Sequence, residues 1–418
     1  MNKSILIIVY KFPPMGGIGT RRWVKFSKYL AQRGYAVHVL TSQYHYVDKN
    51  SWTHDLNNEN IHIHTFKSKY PSWMLRASKG KLEGRFKRYG NFILKKTLFP
   101  LDIAQHDAKA ILKQAKKIIQ EHYIGNIVAS GHPVSVNYIS TYLKIDDPHL
   151  NLIQDYRDNW NDLNIYGFGN KEGFAFFRQK ERSAYKEFFT LYYSDTILNV
   201  SADLTRQLQA KHTSLKDKLF TLTNGYDKDD FQGIKTKING FSMIYTGSLF
   251  NQRIDALKLL MDAILDLDDS FINKHFKLTL YTNYNADRLE NKYNSLINKQ
   301  ICFKPFISPK EVIEEIAEHY CTLSINSKFA SYAFGTKIFD YMALQKKIVH
   351  ISEGGTLFDL LQKKGQYVCR YDRELVKEVL ITLKEDYLSQ TNTGNIDYSE
   401  FSLDSITTQF EKTLKQVR

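Results

Sequence analysis

Three glycines follow the first apolar segment of the chain, at a position where the backbone could close around an anionic ligand. Gly16, Gly17 and Gly19 come after the predicted strand Ile5–Tyr10 and before a predicted helix. Glycine lets backbone N–H groups approach a ligand closely, and the N-terminus of the following helix favours negative charge. The spacing differs from that of a P-loop or a dinucleotide-binding fingerprint. The sequence therefore predicts a ligand-facing loop of neither class, followed at once by Arg21.

A second pattern, in the last third of the chain, predicts a binding site for the diphosphate group of a nucleotide. Gly335, Thr336 and Lys337 stand at the start of a predicted helix. Their backbone N–H groups and the lysine ammonium would surround an anion. Asp340 follows Thr336 by four residues and shares its helical face. Its carboxylate could accept hydrogen bonds from a ribose diol while the diphosphate occupies the helix end.

A third position suited to phosphate lies at the end of the predicted strand Ser242–Thr246. Gly247 and Ser248 open the strand-to-helix turn, and Arg253 follows Gly247 by six residues. Open α/β sheets bind their ligands at the carboxyl ends of their strands. The pattern predicts that Arg253 supplies a cation for a phosphate at this edge.

Polar residues at the ends of two further predicted strands have two interpretations each. His132 could act as an acid, a base or a partner of a sugar hydroxyl, or it could be a structural histidine in a turn. Asp155, Arg157 and Asp158 could form an internal ion-pair lattice or contact a substrate. The sequence leaves both alternatives open.

No metal site and no cofactor are expected from the sequence. His62 and His64 alternate on a predicted strand and share one face, but no cysteine or carboxylate accompanies them. The acidic pair within Asp266–Asp268 is interpreted as a solvated helix end.

The elements that position these residues alternate between strand and helix along nearly the whole chain. Such alternation predicts parallel sheets covered by helices on both faces. The pattern restarts near residues 224–239, which predicts two doubly wound, Rossmann-like α/β domains facing each other across a cleft. The predicted divisions are 1–225, 226–402 and a C-terminal helix in 403–418 that packs back on the first domain. Within the second domain, the spacing predicts a helix over Ala286–Asn298.

The composition of the 418-residue chain is that of a globular protein, with 43% hydrophobic and 24% charged residues. Only 8 prolines and 21 glycines are present, which excludes collagen-like repeats. No apolar run approaches the roughly 18 residues that a membrane span needs. Three cysteines, Cys302, Cys321 and Cys369, cannot form a disulfide framework, and we expect a cytoplasmic protein.

The net charge of +14 is concentrated in the first half of the chain. Residues 1–225 carry a net charge of +15, whereas residues 226–418 carry −1. The segment Lys67–Lys96 holds ten basic residues, one acid and several interleaved aromatic residues. Such a segment suits the anionic inner face of a membrane, although a solvated basic surface is the alternative. Nucleic acid is not an expected partner, because no recognition helix, zinc finger or RNA-binding sheet motif accompanies the charge.

Four segments, in this order and spacing, together resemble a family 4 glycosyltransferase of the GT-B architecture. They are the loop Lys11–Arg22, the run Asp155–Trp160, the hinge Thr223–Asp227 and the helix-strand pair Phe334–Ile351. The resemblance covers nearly the whole chain.

The resemblance implies a donor site with two departures from the family pattern. The family carries a Glu-x7-Glu motif whose second acid, which binds the donor ribose, matches Asp340, and whose first acid matches Tyr332. Of the two family cations that hold the donor phosphates, the arginine matches Ser248 and the lysine matches Arg253. Lys337 is suited to replace the lost charge.

The resemblance also implies transfer of a sugar from a nucleotide-sugar with retention of anomeric configuration and without a metal ion. In that scheme Arg253 and Lys337 neutralise the departing diphosphate, and His132 is a third catalytic candidate. The second domain would hold the donor. The first would bind a glycan acceptor, which the charge distribution indicates to be lipid-linked, as in surface polysaccharide or glycoconjugate assembly. A nucleotide-sugar 2-epimerase and a non-catalytic nucleotide-sugar-binding protein are the alternatives.

Overall fold

The computed structural model describes residues 3–43, 52–69, 80, 82–86, 89–90, 102–158, 160, 174–249, 252–297, 299–390 and 394–415. The chain forms two compact units. The first comprises Met1–Thr223 with Leu403–Arg418, and the second comprises Asn224–Ser402.

The first unit is built on a seven-stranded parallel sheet with the strand order β3-β2-β1-β4-β5-β6-β7. The strands are β1 (Ser4–Val9), β2 (Ala36–Ser42), β3 (Ile61–Phe66), β4 (Asn126–Ser130), β5 (Asn151–Tyr156), β6 (Thr196–Asn199) and β7 (Leu219–Thr221). The interior strand β1 is apolar in five of its six residues and entirely buried, as expected where helices cover both faces of a sheet.

Helices cover both faces of this sheet. They span Ile18–Gln32, Ala108–His122, Ser135–Asp146, Phe174–Tyr193, Ala202–Lys211 and Leu403–Glu411. The first of them buries Trp23, Phe26 and Leu30 against the sheet, a spacing that places all three on one helical face. It ends at Gln32, and Gly34, two residues later, has a φ of +81° that suits glycine.

The C-terminal helix Leu403–Glu411 belongs to the first unit, although 179 residues of the second unit precede it. The buried ring of Phe410 lies 5.6 Å from that of Trp23 and 5.5 Å from that of Phe26. Arg33 forms ion pairs with Asp404 and Glu411. The apolar pattern of the sequence predicts a helix that continues to Val417. The helix ends earlier, at Glu411.

The second unit contains a six-stranded parallel sheet with the order β10-β9-β8-β11-β12-β13. The strands are β8 (Ser242–Thr246), β9 (Lys277–Tyr281), β10 (Ile301–Lys304), β11 (Cys321–Ile325), β12 (Lys347–Ile351) and β13 (Tyr367–Cys369). Its helices span Arg253–Asp266, Ser270–His275, Pro309–Glu318, Lys337–Ala343, Thr356–Lys363 and Arg373–Leu388. The doubly wound α/β architecture predicted for both halves is confirmed.

The prediction of a helix over Ala286–Asn298 is wrong. The segment forms two short 3-10 turns, Ala286–Arg288 and Asn291–Tyr293. The Asn285 side chain accepts a hydrogen bond from the Asp287 N–H group, which closes a local turn in competition with a longer helix. A short helix that periodicity does not reveal, Ser270–His275, begins instead where the Asp269 carboxylate accepts from the Ile272 N–H group.

Among the residues that the structure describes, no helix is both long enough and apolar enough to cross a bilayer. Much of the basic segment Lys67–Lys96 lies outside the described residues. In its described part, Leu82, Phe86 and Tyr89 are each more than 60% exposed.

Candidate functional site

Both groups of predicted site residues lie where the strand order of a sheet reverses. In the first unit the order runs from β1 to β2 in one direction and from β1 to β4 in the other. In the second unit the corresponding pair is β8 and β11. Open α/β sheets bind ligands at the carboxyl ends of strands at such a reversal. Gly247 follows β8, and the loop to the helix Lys337–Ala343 follows β11.

The second-unit site centres on the contact between Gly247 and the Lys337 side chain. A Cβ atom at Gly247 would lie 1.6 Å from Lys337 Nζ, so only glycine leaves room for the ammonium. The Gly247 φ of +149° and its N–H bond to the Tyr281 carbonyl, at 2.8 Å, fix this backbone. The ammonium also lies 4.8 Å from the centre of the Tyr245 ring, a cation–π distance.

Burial lowers the pKa of Lys337 to about 7, with the positive charge of Arg253 as the second cause. The Asp340 carboxylate opposes the shift. The side chain as a whole is partly exposed, but its ammonium is enclosed by Gly247 and Tyr245. A lysine with this pKa gains a full positive charge readily when an anion arrives, since an opposite charge favours the charged form.

Arg253 opens the helix Arg253–Asp266 and hydrogen-bonds to the Tyr245 hydroxyl. That hydroxyl donates to the Ser248 carbonyl at 3.0 Å, which ties the turn after β8 to the arginine. Burial raises the Tyr245 pKa to about 12, against the opposing effect of Arg253. The structure therefore brings Tyr245, Gly247, Arg253, Lys337 and Asp340 together, and we refer to these five residues as the Lys337 cluster.

The remaining donor-site predictions lie around this cluster. Asp340 is buried, Thr336 is the residue before the helix, and Gly335 is exposed beside it. Tyr332 is half-buried in a turn whose carbonyls at 331 and 333 accept from the Asn326 amide. Ser248 is half-buried and uncharged, so the positive charge in the Lys337 cluster comes from Arg253 and Lys337.

The first-unit site is a cavity of about 250 Å³ at the carboxyl ends of β1 and β4. Its walls include Lys11, Gly16, Gly17, Gly19, His132 and Arg157. Gly17 has a φ of +103°, and its carbonyl accepts from the Thr20 hydroxyl at 2.9 Å. The Arg157 guanidinium donates a hydrogen bond to the Gly19 carbonyl. A Cβ atom on Gly19 would lie 3.1 Å from that guanidinium. The predicted glycine loop thus lines a pocket with a cationic wall.

His132 borders the same cavity. Burial lowers its pKa to about 4, with the positive charges of Arg157 and Lys11 as further causes. Its Nε2 lies 3.6 Å from the Asp158 carboxylate. The imidazole is therefore neutral at pH 7, and it can accept a proton or a hydrogen bond but does not supply a cation.

Asp155 forms an internal ion pair, one of the two alternatives for this residue. Its fully buried carboxylate lies 3.0 Å from the Arg22 guanidinium and accepts from the Trp23 indole at 2.8 Å and the Ser130 hydroxyl at 2.7 Å. Arg22 in turn donates to two backbone carbonyls that follow β7. This network joins the first helix to β4 and β5.

Arg21 is directed to the interior rather than to the cavity lining. It is 5% exposed, and its guanidinium lies 5.1 Å from the Trp52 ring centre. Lys11 in the cavity wall and Arg22 behind it belong to the loop Lys11–Arg22, but the sequence does not single them out as site residues. Tyr245 in the Lys337 cluster is also missed. The sequence signal for Tyr245 is its place as the second-last residue of the buried strand β8.

Comparisons with known proteins bear on the fold. No protein-family model and no curated protein sequence matches the chain. A glycosyltransferase from Rickettsia africae ESF-5 superposes with a TM-score of 0.62 over 98% of this chain and 97% of that one, at 12% identity. WaaG, a glycosyltransferase involved in lipopolysaccharide biosynthesis, gives 0.56 over 98% of both chains, at 14% identity. The chain has the GT-B fold.

The same fold also occurs in an epimerase. The UDP-GlcNAc 2-epimerase of Neisseria meningitidis, bound to UDP-GlcNAc, superposes with a TM-score of 0.56 over 98% of this chain and 99% of that one, at 10% identity. Because transferases and epimerases share the GT-B fold, the choice between them depends on the chemistry of the site.

Proposed function

We propose that the protein is a glycosyltransferase that moves a sugar from a nucleotide-sugar to a glycan acceptor. The Lys337 cluster is the observation that carries the proposal. Two cationic side chains, Arg253 and Lys337, lie beside Gly247, whose missing side chain leaves room for the Lys337 ammonium. They lie where the strand order of the second sheet reverses. A pyrophosphate there would replace the water that the ammonium has lost.

In the proposed reaction the bond between the anomeric carbon and the diphosphate oxygen breaks, and an acceptor hydroxyl oxygen bonds to that carbon. Negative charge accumulates on the departing diphosphate. Arg253 and Lys337 stabilise this charge more strongly than the charge of the bound donor, which is the condition for acceleration. Asp340 is proposed to bind the donor ribose. Its carboxylate is near enough to Lys337 to oppose the lowering of that lysine's pKa. Retention of configuration and membership of family 4 are part of the proposal.

The first unit is proposed to bind the acceptor. Its cavity is lined by Lys11, by Arg157 and by the neutral imidazole of His132. Two cations suit the phosphate of a lipid-linked acceptor, and a neutral imidazole suits a sugar hydroxyl. Together with the net charge of +15 on residues 1–225, these groups support the proposal that the reaction takes place at the cytoplasmic face of a membrane, in surface polysaccharide or glycoconjugate assembly.

Thermal denaturation in the presence of UDP-, GDP-, ADP- and dTDP-sugars identifies the donor, since a ligand that binds only the folded protein raises its melting temperature. Product analysis with that donor then separates the candidate functions. Transfer of the sugar to a glycan acceptor, or hydrolysis of the donor to free sugar and nucleotide, supports the proposal. Conversion of the donor into its 2-epimer identifies an epimerase, and binding without any turnover identifies a nucleotide-sugar-binding protein.

The site assignment is tested with Arg253→Ala and Lys337→Ala, each expected to lower kcat/KM at least 100-fold, about 2.7 kcal/mol of transition-state stabilisation. Lys310→Ala, an exposed lysine of the same unit, is the matched control and should be as active as wild type. Normal activity in both cluster variants would refute the assignment.

A further inference from the structure

Four histidines of the first unit, His62 and His64 among them, converge at one edge of its sheet. His38 lies on β2, and His62 and His64 lie on the edge strand β3. In the parallel register His38 is paired with His62, and Leu40 with His64. Side chains two residues apart on a strand share a face, so the three strand histidines lie on the same side of the sheet.

The fourth histidine is supplied by the helix that covers this side. Helix Ala108–His122 packs against β2 and β3 and ends at His122, because Tyr123 adopts the left-handed conformation with a φ of 52°. The sequence shows only the pair His62 and His64. Chain folding adds His38, which is 3% exposed, and His122. No local spacing rule connects residues 38, 64 and 122.

The ring nitrogens lie close enough together for a metal-ligand set. His38 Nδ1 lies 3.0 Å from His64 Nε2, and one nitrogen from each of His38, His64 and His122 lies within 4.8 Å of the others. The ring centres of His38 and His122 are 4.1 Å apart. Nitrogens bound to one tetrahedral zinc ion at about 2.0–2.1 Å are about 3.4 Å apart, so the distances between the histidine nitrogens are close to those that a zinc ion requires.

We propose that His38, His64 and His122 bind one Zn²⁺ ion. Imidazole nitrogens suit zinc and its neighbours among the first-row transition metals, whereas Mg²⁺ and Ca²⁺ prefer oxygen. Three protein ligands leave a fourth tetrahedral position for water or for His62, whose exposed ring is stacked on His38 with 4.8 Å between centres. The negative end of the helix dipole lies at His122 and favours a cation there.

The ion would join the edge strand β3, its neighbour β2 and the covering helix. Ligands from three elements that are separated in sequence bind only the folded unit, so zinc stabilises the fold by mass action. The site lies outside the residues proposed for donor and acceptor, and its existence does not depend on the proposed transferase activity.

The test uses the full chain, free of any polyhistidine tag and stripped with a chelator. Calorimetric titration with Zn²⁺ should show one equivalent bound, and Co²⁺ as a spectroscopic probe should give the intense visible absorption of a tetrahedral site. His64→Ala and His122→Ala should each weaken zinc binding at least tenfold and reduce the zinc-dependent rise in melting temperature. His149→Ala, an exposed histidine of the same unit, should bind zinc as wild type does.

His64→Gln and His122→Gln keep side-chain size and hydrogen bonding, so they separate the loss of a metal ligand from the loss of the fold. Melting curves of all variants without metal report on the fold. If the glutamine variants fold normally and lose the site, the proposal is supported. Wild-type protein that binds no zinc, or binding that is equal in all variants, would overturn it.

Discussion

At the scale of single residues, the protonation of Lys337 links donor binding to pH. Its pKa of about 7 in the free protein means that the ammonium is charged below pH 7 and increasingly neutral above it. A bound pyrophosphate raises this pKa, because the opposite charge favours protonation. Donor binding therefore takes up a proton at alkaline pH.

We accordingly expect nucleotide-sugar affinity to be constant below pH 7 and to fall as pH rises, by up to tenfold per unit, until the pKa of the complex is reached. Calorimetric titration across this range measures the slope. In Lys337→Arg, whose guanidinium stays charged, the fall should disappear. An identical slope in that variant would assign the titration to another group.

Gly247 provides a second residue-scale prediction. In Gly247→Ala the new methyl group takes the position of the Lys337 ammonium, so the lysine must leave Tyr245 and the donor site. We expect nucleotide-sugar affinity to fall at least tenfold, about 1.4 kcal/mol.

Gly240→Ala is the matched control for this change. Gly240 also has a positive φ, of +68°, but a Cβ atom there meets nothing within 4 Å. Both variants place alanine at a positive φ, which strains the backbone, and only Gly247→Ala should lose affinity. Equal binding by the two variants would show that the glycine does not serve the lysine.

At the scale of elements, the buried Asp155 joins the helix Ile18–Gln32 to β4 and β5. Replacing it with alanine leaves the Arg22 guanidinium buried without its anionic partner. Asp155→Ala should therefore lower the free energy of unfolding by about 3–5 kcal/mol, as measured by urea denaturation. Asp158→Ala, in the half-exposed part of the same run, should change it by less than about 0.5 kcal/mol. Similar small effects for both would contradict a structural role for Asp155.

The sequence predicts elements well where apolar residues are continuous or strongly periodic. Strand β8, Ser242–Thr246, has the bounds that its pattern predicts. Prediction fails over Ala286–Asn298, where side-chain hydrogen bonds to the backbone select turns at spacings that also suit a helix. It misses Ser270–His275 because six residues are too few to show a helical period.

The candidate sites are predictable to a similar degree. Glycines and charged residues at strand ends identify Gly247, Arg253 and Lys337, because the carboxyl edge of a parallel sheet is fixed by topology. Burial is not visible in a charge pattern, so the sequence does not separate Arg21, which packs on Trp52, from Arg157, which lines the cavity. Contacts between distant segments, such as that of His38 with His122, require the fold.

At the scale of the whole molecule, charge distinguishes the two halves of the chain. Residues 1–225 carry +15 and residues 226–418 carry −1, and the described part of Lys67–Lys96 exposes apolar side chains among its cations. We expect the protein to sediment with vesicles that contain anionic lipid at low ionic strength, and to be released by about 1 M salt, where charges are screened within about 3 Å.

The variant that tests this binding replaces the exposed Lys67, Lys69 and Arg85 by glutamine and should bind anionic vesicles more weakly. Its control replaces three exposed lysines of the second unit, Lys274, Lys310 and Lys363, and should bind as wild type. Wild-type protein that ignores anionic vesicles at low salt would contradict the membrane part of the proposal.

The central claim is that the Lys337 cluster holds the pyrophosphate of a sugar donor. A crystal structure of the protein with its nucleotide-sugar tests it most directly. The account predicts pyrophosphate oxygens within hydrogen-bonding distance of Lys337 Nζ and the Arg253 guanidinium, against the backbone of Gly247, with the ribose at Asp340. A donor bound elsewhere, with Arg253 and Lys337 making no contact to it, would contradict the account.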